Sequence, residues 1–247
     1  MRVWGVLVVV VLALGGMAWA QGNEETQKCF EGSKTGSGVT PDLVLQYCSR
    51  AIQSGQLSEP NLAIAFFSRG NAYSNKEEYD RAIQDLDQAI RLNPNYDSAF
   101  YTQGTARFNQ GRFEAAVLDF ARAVELTPRD QYRILWLYLA QTRAGQNGRD
   151  DLARNAARLG LRQWPGPIAS MYLGRITAQE VLNAATDTDP TKEREQQCES
   201  HFYIGQHLLT QGTKEEGVRM LQAAMATCPE NFVEYSGAKA ELRRMGY

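Results

Sequence analysis

Residues 63–96 read AIAFFSRGNAYSNKEEYDRAIQDLDQAIRLNPNY and residues 97–130 read DSAFYTQGTARFNQGRFEAAVLDFARAVELTPRD, two 34-residue lines that align without a gap. Gly70, Ala82, Ala89 and Pro94 of the first return as Gly104, Ala116, Ala123 and Pro128 of the second, with Phe66 over Phe100 and Leu86 over Phe120. Two antiparallel helices in close contact explain such a pattern. Where their backbones nearly touch, only a small side chain fits, so Gly70 is expected opposite Ala82. Phe66 and Leu86 fill the wider gaps, Ala89 admits the next hairpin, and Pro94 ends the second helix because it has no amide hydrogen to donate. A hairpin of this kind cannot hide its apolar face alone, so a stack of hairpins is predicted.

Beyond Asp130 the period persists in altered form. Residues 131–166 keep an apolar first helix, Ile134-Leu135-Trp136-Leu137-Tyr138-Leu139-Ala140, while Ala153, Ala157 and Gly160 come into register only with three extra residues in the turn at 145–150. A clearer copy returns at 198–231, where Gly205, Leu208, Leu221, Ala224 and Pro229 hold the equivalent positions. Between these copies, Trp164-Pro165-Gly166-Pro167 is expected to be non-helical through its prolines, with a short helix following to Gly174. Thr177 and Glu180 form a capping box for a helix ending near Thr186, and Asp189-Pro190 starts a long helix into the last repeat. Residues 232–245 are predicted to close the exposed end of the stack.

These residues resemble the tetratricopeptide-repeat pattern, which has a large residue at position 4, Gly at 8, an aromatic at 11, Ala at 20, an aromatic or Leu at 24, Ala at 27 and Pro at 32. Residues 63–96 fit at all seven; the second copy departs at position 11, where Arg107 stands beside Phe108. The resemblance implies an all-α, right-handed superhelical α-solenoid of helix-turn-helix repeats with a divergent middle and a C-terminal capping helix.

At the other end of the chain, Arg2 precedes an apolar run from Val3 to Leu14, and Ala18-Trp19-Ala20 supplies small residues at a cleavage site. The run is short for a membrane span of roughly 20 residues, and the whole reads as an export signal cut near Ala20, with an uncleaved N-terminal anchor as the alternative. Five segments follow: a signal peptide at 1–20; an N-terminal disulfide-closed segment with a capping helix at 21–62; two clear repeats at 63–130; an altered repeat with an irregular helical insert at 131–196; and a last repeat with a capping helix at 197–247. Setting aside the signal removes one of the 26 basic residues and none of the 28 acidic ones, leaving a charge near −3. That balance excludes a nucleic-acid partner, which needs a concentrated basic face. No second stretch is apolar enough to span a bilayer.

The four cysteines, Cys29, Cys48, Cys198 and Cys228, are an even number in an exported chain and read as disulfides. Cys198 opens the first helix of the last repeat and Cys228 ends its second, so antiparallel pairing brings them side by side; Cys29 and Cys48 would close the N-terminal segment onto a helix at 43–54. No C-x-x-C pair is present and His201 and His207 lie six apart on different helix faces, so neither a metal nor a cofactor is expected. The absence of H-E-x-x-H and G-x-S-x-G, and of a Cys-His pair, argues against an enzyme. The Gly-rich segment at 32–38 lacks the glycine before its lysine that a phosphate loop needs, and reads as a loop.

Function is therefore expected from surface. First helices of successive repeats line a concave face, and their inner positions carry Phe67, Asn71, Asn75, Tyr101, Thr102, Thr105, Phe108, Asn109, Tyr132 and Trp136. An aromatic groove with amides suits an extended or helical peptide. If Tyr101 and Trp136 anchor a partner, each alanine variant loses about 1–3 kcal/mol of binding. Finally, Leu135-Trp136-Leu137-Tyr138-Leu139-Ala140, Trp164 with Ile168, Tyr172-Leu173-Gly174-Arg175-Ile176, Phe202-Tyr203-Ile204-Gly205 and Asn231-Phe232-Val233-Glu234 resemble, in order and approximate spacing, the NlpI-type tetratricopeptide lipoproteins of the bacterial envelope. That resemblance implies a homodimeric envelope adaptor that brings a periplasmic protease to peptidoglycan hydrolases. Those relatives carry a lipid-modified cysteine after the signal, whereas no cysteine precedes Cys29 here, so the resemblance implies a soluble periplasmic protein. The alternative is an assembly or chaperone-like factor for outer-membrane or secretion components.

Overall fold

The computed structural model describes residues 24–32 and 38–247. The expected signal peptide and most of the Gly-rich loop lie outside the described residues. All regular structure among the described residues is helical, as the repeat pattern predicts. The chain forms two compact units, one up to Tyr96 and one from Asp97 onward.

In the first unit, α1 (24–31) leads to α2 (Pro41–Gln53), α3 (Glu59–Asn75) and α4 (Tyr79–Leu92). Thr40 caps α2, and Pro41 and Pro60 stand in the first turns of α2 and α3, where a missing amide hydrogen costs nothing. Cys29 and Cys48 are bonded, tying α1 to α2 with their Cα atoms 4.8 Å apart, and Glu25 adds an ion pair to Arg50 at 2.7 Å. The α3–α4 hairpin closes as the spacing predicts. A Cβ placed on Gly70 would stand 3.2 Å from the Ala82 carbonyl oxygen and 3.0 Å from Leu86 Cγ. Beside it, Arg69 grips the buried Asp85 with two hydrogen bonds of 2.7 and 2.8 Å, a fork that fits a carboxylate's geometry.

The second unit begins with the hairpin of α5 (Asp97–Asn109) and α6 (Phe113–Leu126), followed by α7 (Gln131–Arg143) and the shorter α8 (Arg149–Ala156). Gly104 lies against Phe120: a Cβ there would stand 2.8 Å from Phe120 Cε1. Gly104→Ala should therefore cost about 1–3 kcal/mol by overpacking, read as a lowered melting temperature; an unchanged melt would mean that Phe120 has room to move. Arg107, the departure from the repeat pattern, has a charge explanation. Asp119, like Asp85 one repeat earlier, is buried, and Arg107 bonds both its oxygens at 2.7 Å.

The altered third hairpin is shorter than the register implies. Ala157 is already the C-cap of α8, and Gly160 lies past the helix. The Pro-Gly-Pro stretch is also more helical than expected: α9 (Gly166–Tyr172) starts inside it, because Pro167 falls in the first turn, where proline is tolerated. α10 (Ala178–Ala184) begins at Thr177 with the predicted capping box, and Asp189 caps α11 (Pro190–Thr210). α12 (Lys214–Thr227) completes the last hairpin, where Gly205 meets Leu221 and the Gly217 carbonyl oxygen. Cys198 and Cys228 are bonded, with their Cα atoms 4.7 Å apart. Replacing both by serine should remove about 2–4 kcal/mol of stability, visible as a lower melting temperature; an unshifted melt would show that the bridge adds nothing.

The last helix, α13 (Val233–Arg244), does more than cover the end of the last hairpin. It packs on α11 and α12 and also reaches back to α5, while α11 touches α7. The second unit therefore closes upon itself.

Candidate functional site

The inner positions of α5 and α7 meet α11 and α13 rather than solvent. Trp136 is fully buried, its ring centroid 5.2 Å from Phe108, 5.8 Å from Phe120 and 5.4 Å from Phe202. Thr105, Phe108 and Asn109 are buried too, and Asn109 donates to Ser236 Oγ at 3.3 Å. These four residues, expected on an open concave face, belong to the interior of the second unit. The physical reason is that α11 and α13 supply a second apolar layer over the same face, which a repeat-by-repeat reading of the sequence leaves bare.

Three other expected groove residues stand at the margin of this seam. Tyr101 keeps part of its ring at the surface under the Arg133 guanidinium, 5.3 Å away. Its hydroxyl is withdrawn from water, and burial drives its pKa well above the usual phenol range. Tyr132 is half-buried and donates to Glu199 at 3.0 Å, and Thr102 is half-buried. In the first unit, Phe67 stacks on Tyr96 with centroids 4.9 Å apart, Asn71 is half-buried and Asn75 is exposed. The structure thus divides the ten expected residues between the two units, three in the first and seven in the second.

The seam contains charged groups that the repeat pattern does not flag. Glu199 of α11 and Glu234 and Glu241 of α13 are all buried. Glu199 accepts from the Tyr132 hydroxyl and from the Trp164 indole, and Glu234 accepts from the Tyr203 hydroxyl at 3.2 Å. Burial raises the pKa of both, and the nearby charge of Glu234 raises that of Glu199 further; the hydrogen bonds from Trp164 and Tyr132 work against this. The Trp136 indole N–H is near enough to Glu234 to favour its charged form, but it lacks the geometry of a hydrogen bond.

Glu241 has cationic partners. Arg143, at the last inner position of α7, bonds it at 2.8 Å, and Arg244 bonds it from one turn further along α13. Both guanidiniums lie over the Phe113 ring, at 4.6 and 5.2 Å from its centroid. Arg244 also donates to the carbonyls of Phe108 and Asn109, so a cation completes the open C-terminal end of α5. A sequence signal for this set does exist: Glu234, Gly237, Ala238 and Glu241 recur at helical spacing on one stripe. Acidic residues on a terminal helix are more often solvated than buried, which hides the signal.

A cleft of about 450 Å³ borders the far end of the seam, lined by Thr142, Arg143, Leu209, Thr210, Lys214, Glu241 and Met245. The histidines make ordinary contacts: His201 Nδ1 lies 3.3 Å from Thr227 Oγ1, and His207 Nε2 lies 2.9 Å from Gln211 Nε2. Burial lowers the pKa of both.

The hairpin geometry agrees with comparison to known families. The tetratricopeptide-repeat profile matches residues 63–96, and a second profile of the same description matches residues 101–167. The chain carries tetratricopeptide repeats. Among solved structures it is similar to one titled "MamA RS-1 ArsTM double mutant", at 16% identity over 84% of this chain and 93% of that one, with a TM-score of 0.45. It is also similar to YrrB, described as a TPR protein with an unusual peptide-binding site, at 17% identity over 78% of this chain and 97% of that one, with a TM-score of 0.42. Tetratricopeptide repeats serve as scaffolds for protein and peptide partners. The second profile spans α5 to the start of α9, so the face closed by α11 and α13 is the inner face of recognised repeats.

Proposed function

We propose that this chain is an exported scaffold that binds protein partners in the periplasm through its tetratricopeptide repeats and performs no catalysis itself. The observation that carries this reading is the repeat architecture, two profile matches with small residues at the helix-helix contacts of each hairpin. Export is supported by the apolar N-terminal segment ending in Ala18-Trp19-Ala20 and by two disulfides, which persist in oxidising compartments and are rare in the cytosol. The buried acids are placed for structure: each is enclosed by tyrosine, tryptophan or arginine side chains. The partners this reading favours are envelope proteins such as a protease or a peptidoglycan hydrolase, in keeping with the NlpI-type resemblance.

The test is crosslinking of the full chain in intact cells, followed by identification of the captured proteins and fractionation of the envelope. Periplasmic recovery with proteases or wall hydrolases enriched over a signal-deleted control is the expected result. Recovery in the cytosol, or hydrolytic activity in the purified chain, would overturn the proposal. Enrichment of outer-membrane assembly factors would replace the adaptor reading with an assembly role.

A further inference from the structure

In the second unit the inner face of the repeats is covered by the chain's own last helix. Glu234, Gly237, Ala238 and Glu241 form one buried stripe along α13, at the three- and four-residue spacing that puts side chains on a single helix face. At one end of the stripe, Glu234 takes a hydrogen bond from Tyr203. In the middle, Gly237 lets the helix backbone approach two rings: a Cβ there would stand 2.9 Å from Phe202 Cε2 and 3.3 Å from Trp136 Cη2. At the other end, Glu241 is bonded to Arg143.

Two features make this a seat that can be vacated. No side chain caps the N-terminus of α13, so its first turn is held without a local side-chain acceptor. The buried stripe carries two carboxyl groups, so seating it costs hydration that a purely apolar helix would not lose.

We infer that the face built by α5, α7 and α11 is a helix-binding groove whose resting occupant is α13, and that an external partner enters as an amphipathic helix bearing two glutamates seven residues apart around a pair of small residues, displacing α13. The inference rests on the protein-binding reading above and adds to it the class of partner and the gate that controls its access. Tyr203 and Arg143 set the acidic ends of the code, while Trp136 and Phe202 demand the small centre.

Hydrogen exchange on the unmodified full chain is the first test. Amides of residues 233–244 should exchange through local opening, at least tenfold faster than those of α6. Binding of a labelled peptide spanning residues 229–247 is the second. Gly237→Val, whose side chain would strike Phe202 and Trp136, should free the groove, so that the variant chain binds the peptide at least tenfold more tightly than the wild-type chain does. A peptide carrying Glu241→Ala should bind that variant at least tenfold more weakly. Should Gly237→Val fail to fold, a chain carrying Glu241→Ala replaces it, with faster exchange in 233–244 and tighter peptide binding than wild type expected. Exchange of α13 only in step with α6 would overturn the inference, as would a folded variant that ignores the peptide. Because the peptide comes from the chain itself, these outcomes are independent of whether any envelope partner is captured.

Discussion

Trp136→Ala should destabilise the second unit, at a cost of about 3–5 kcal/mol. The indole is fully buried and contacts three further aromatic rings, one from each of α5, α6 and α11. Removing it opens a cavity at the junction of three helices that pack on α7, and the Gly237 backbone beneath it loses its support as well. For a chain of this size the loss corresponds to a fall in melting temperature of roughly 6–20 °C. Circular dichroism melts of both proteins measure it. A variant that melts like wild type but fails to hold a partner would return Trp136 to the open groove that the sequence suggests.

The stability of the second unit should decline as pH rises through neutrality, opposite to the usual behaviour of a protein held by ionised carboxylates. In the unfolded chain Glu199 and Glu234 ionise near 4.5; in the folded chain burial holds their protons up to about 8 and about 7. Between those limits the folded state binds more protons than the unfolded one. The stabilisation is fully present below about 4.5 and is lost as pH climbs through about 7 and 8. Glu199→Gln, uncharged at every pH, should flatten the slope and melt higher than wild type at pH 9. Ion pairs common to both proteins cancel in the difference, so the informative measurement is the gap between the two melting temperatures from pH 5.5 to 9. A gap that does not widen with pH would sink the claim that burial raises the proton affinity of the Glu199 carboxyl in the folded chain.

Much of the local structure is legible in the chain itself. The glycine and alanine positions of the two clear repeats locate the helix contacts, and Gly205 locates the one in the last hairpin. Capping signals at Thr177 and Asp189 mark two helix starts, and antiparallel geometry pairs Cys198 with Cys228. Each of these is a short-range rule: a small residue where backbones meet, an oxygen where amides lack partners, two sulfurs where the helices of one hairpin lie side by side. Arg107 looks like a lapse in the repeat until Asp119 is seen to be buried beside it.

By itself, then, the sequence determined the hairpins, their spacing and their staples, because those depend on residues within one or two helical turns or one repeat of each other. Only the tertiary structure decided which surface of the second unit remains available to a partner. Whether an inner-face aromatic is an anchor or a core residue depends on what lies above it, and α13 reaches α5 across more than a hundred residues of chain, a contact that no periodicity encodes. The same long-range closure turns three acids of α11 and α13 from solvated side chains into buried ones, and with them the molecule acquires its polar seam.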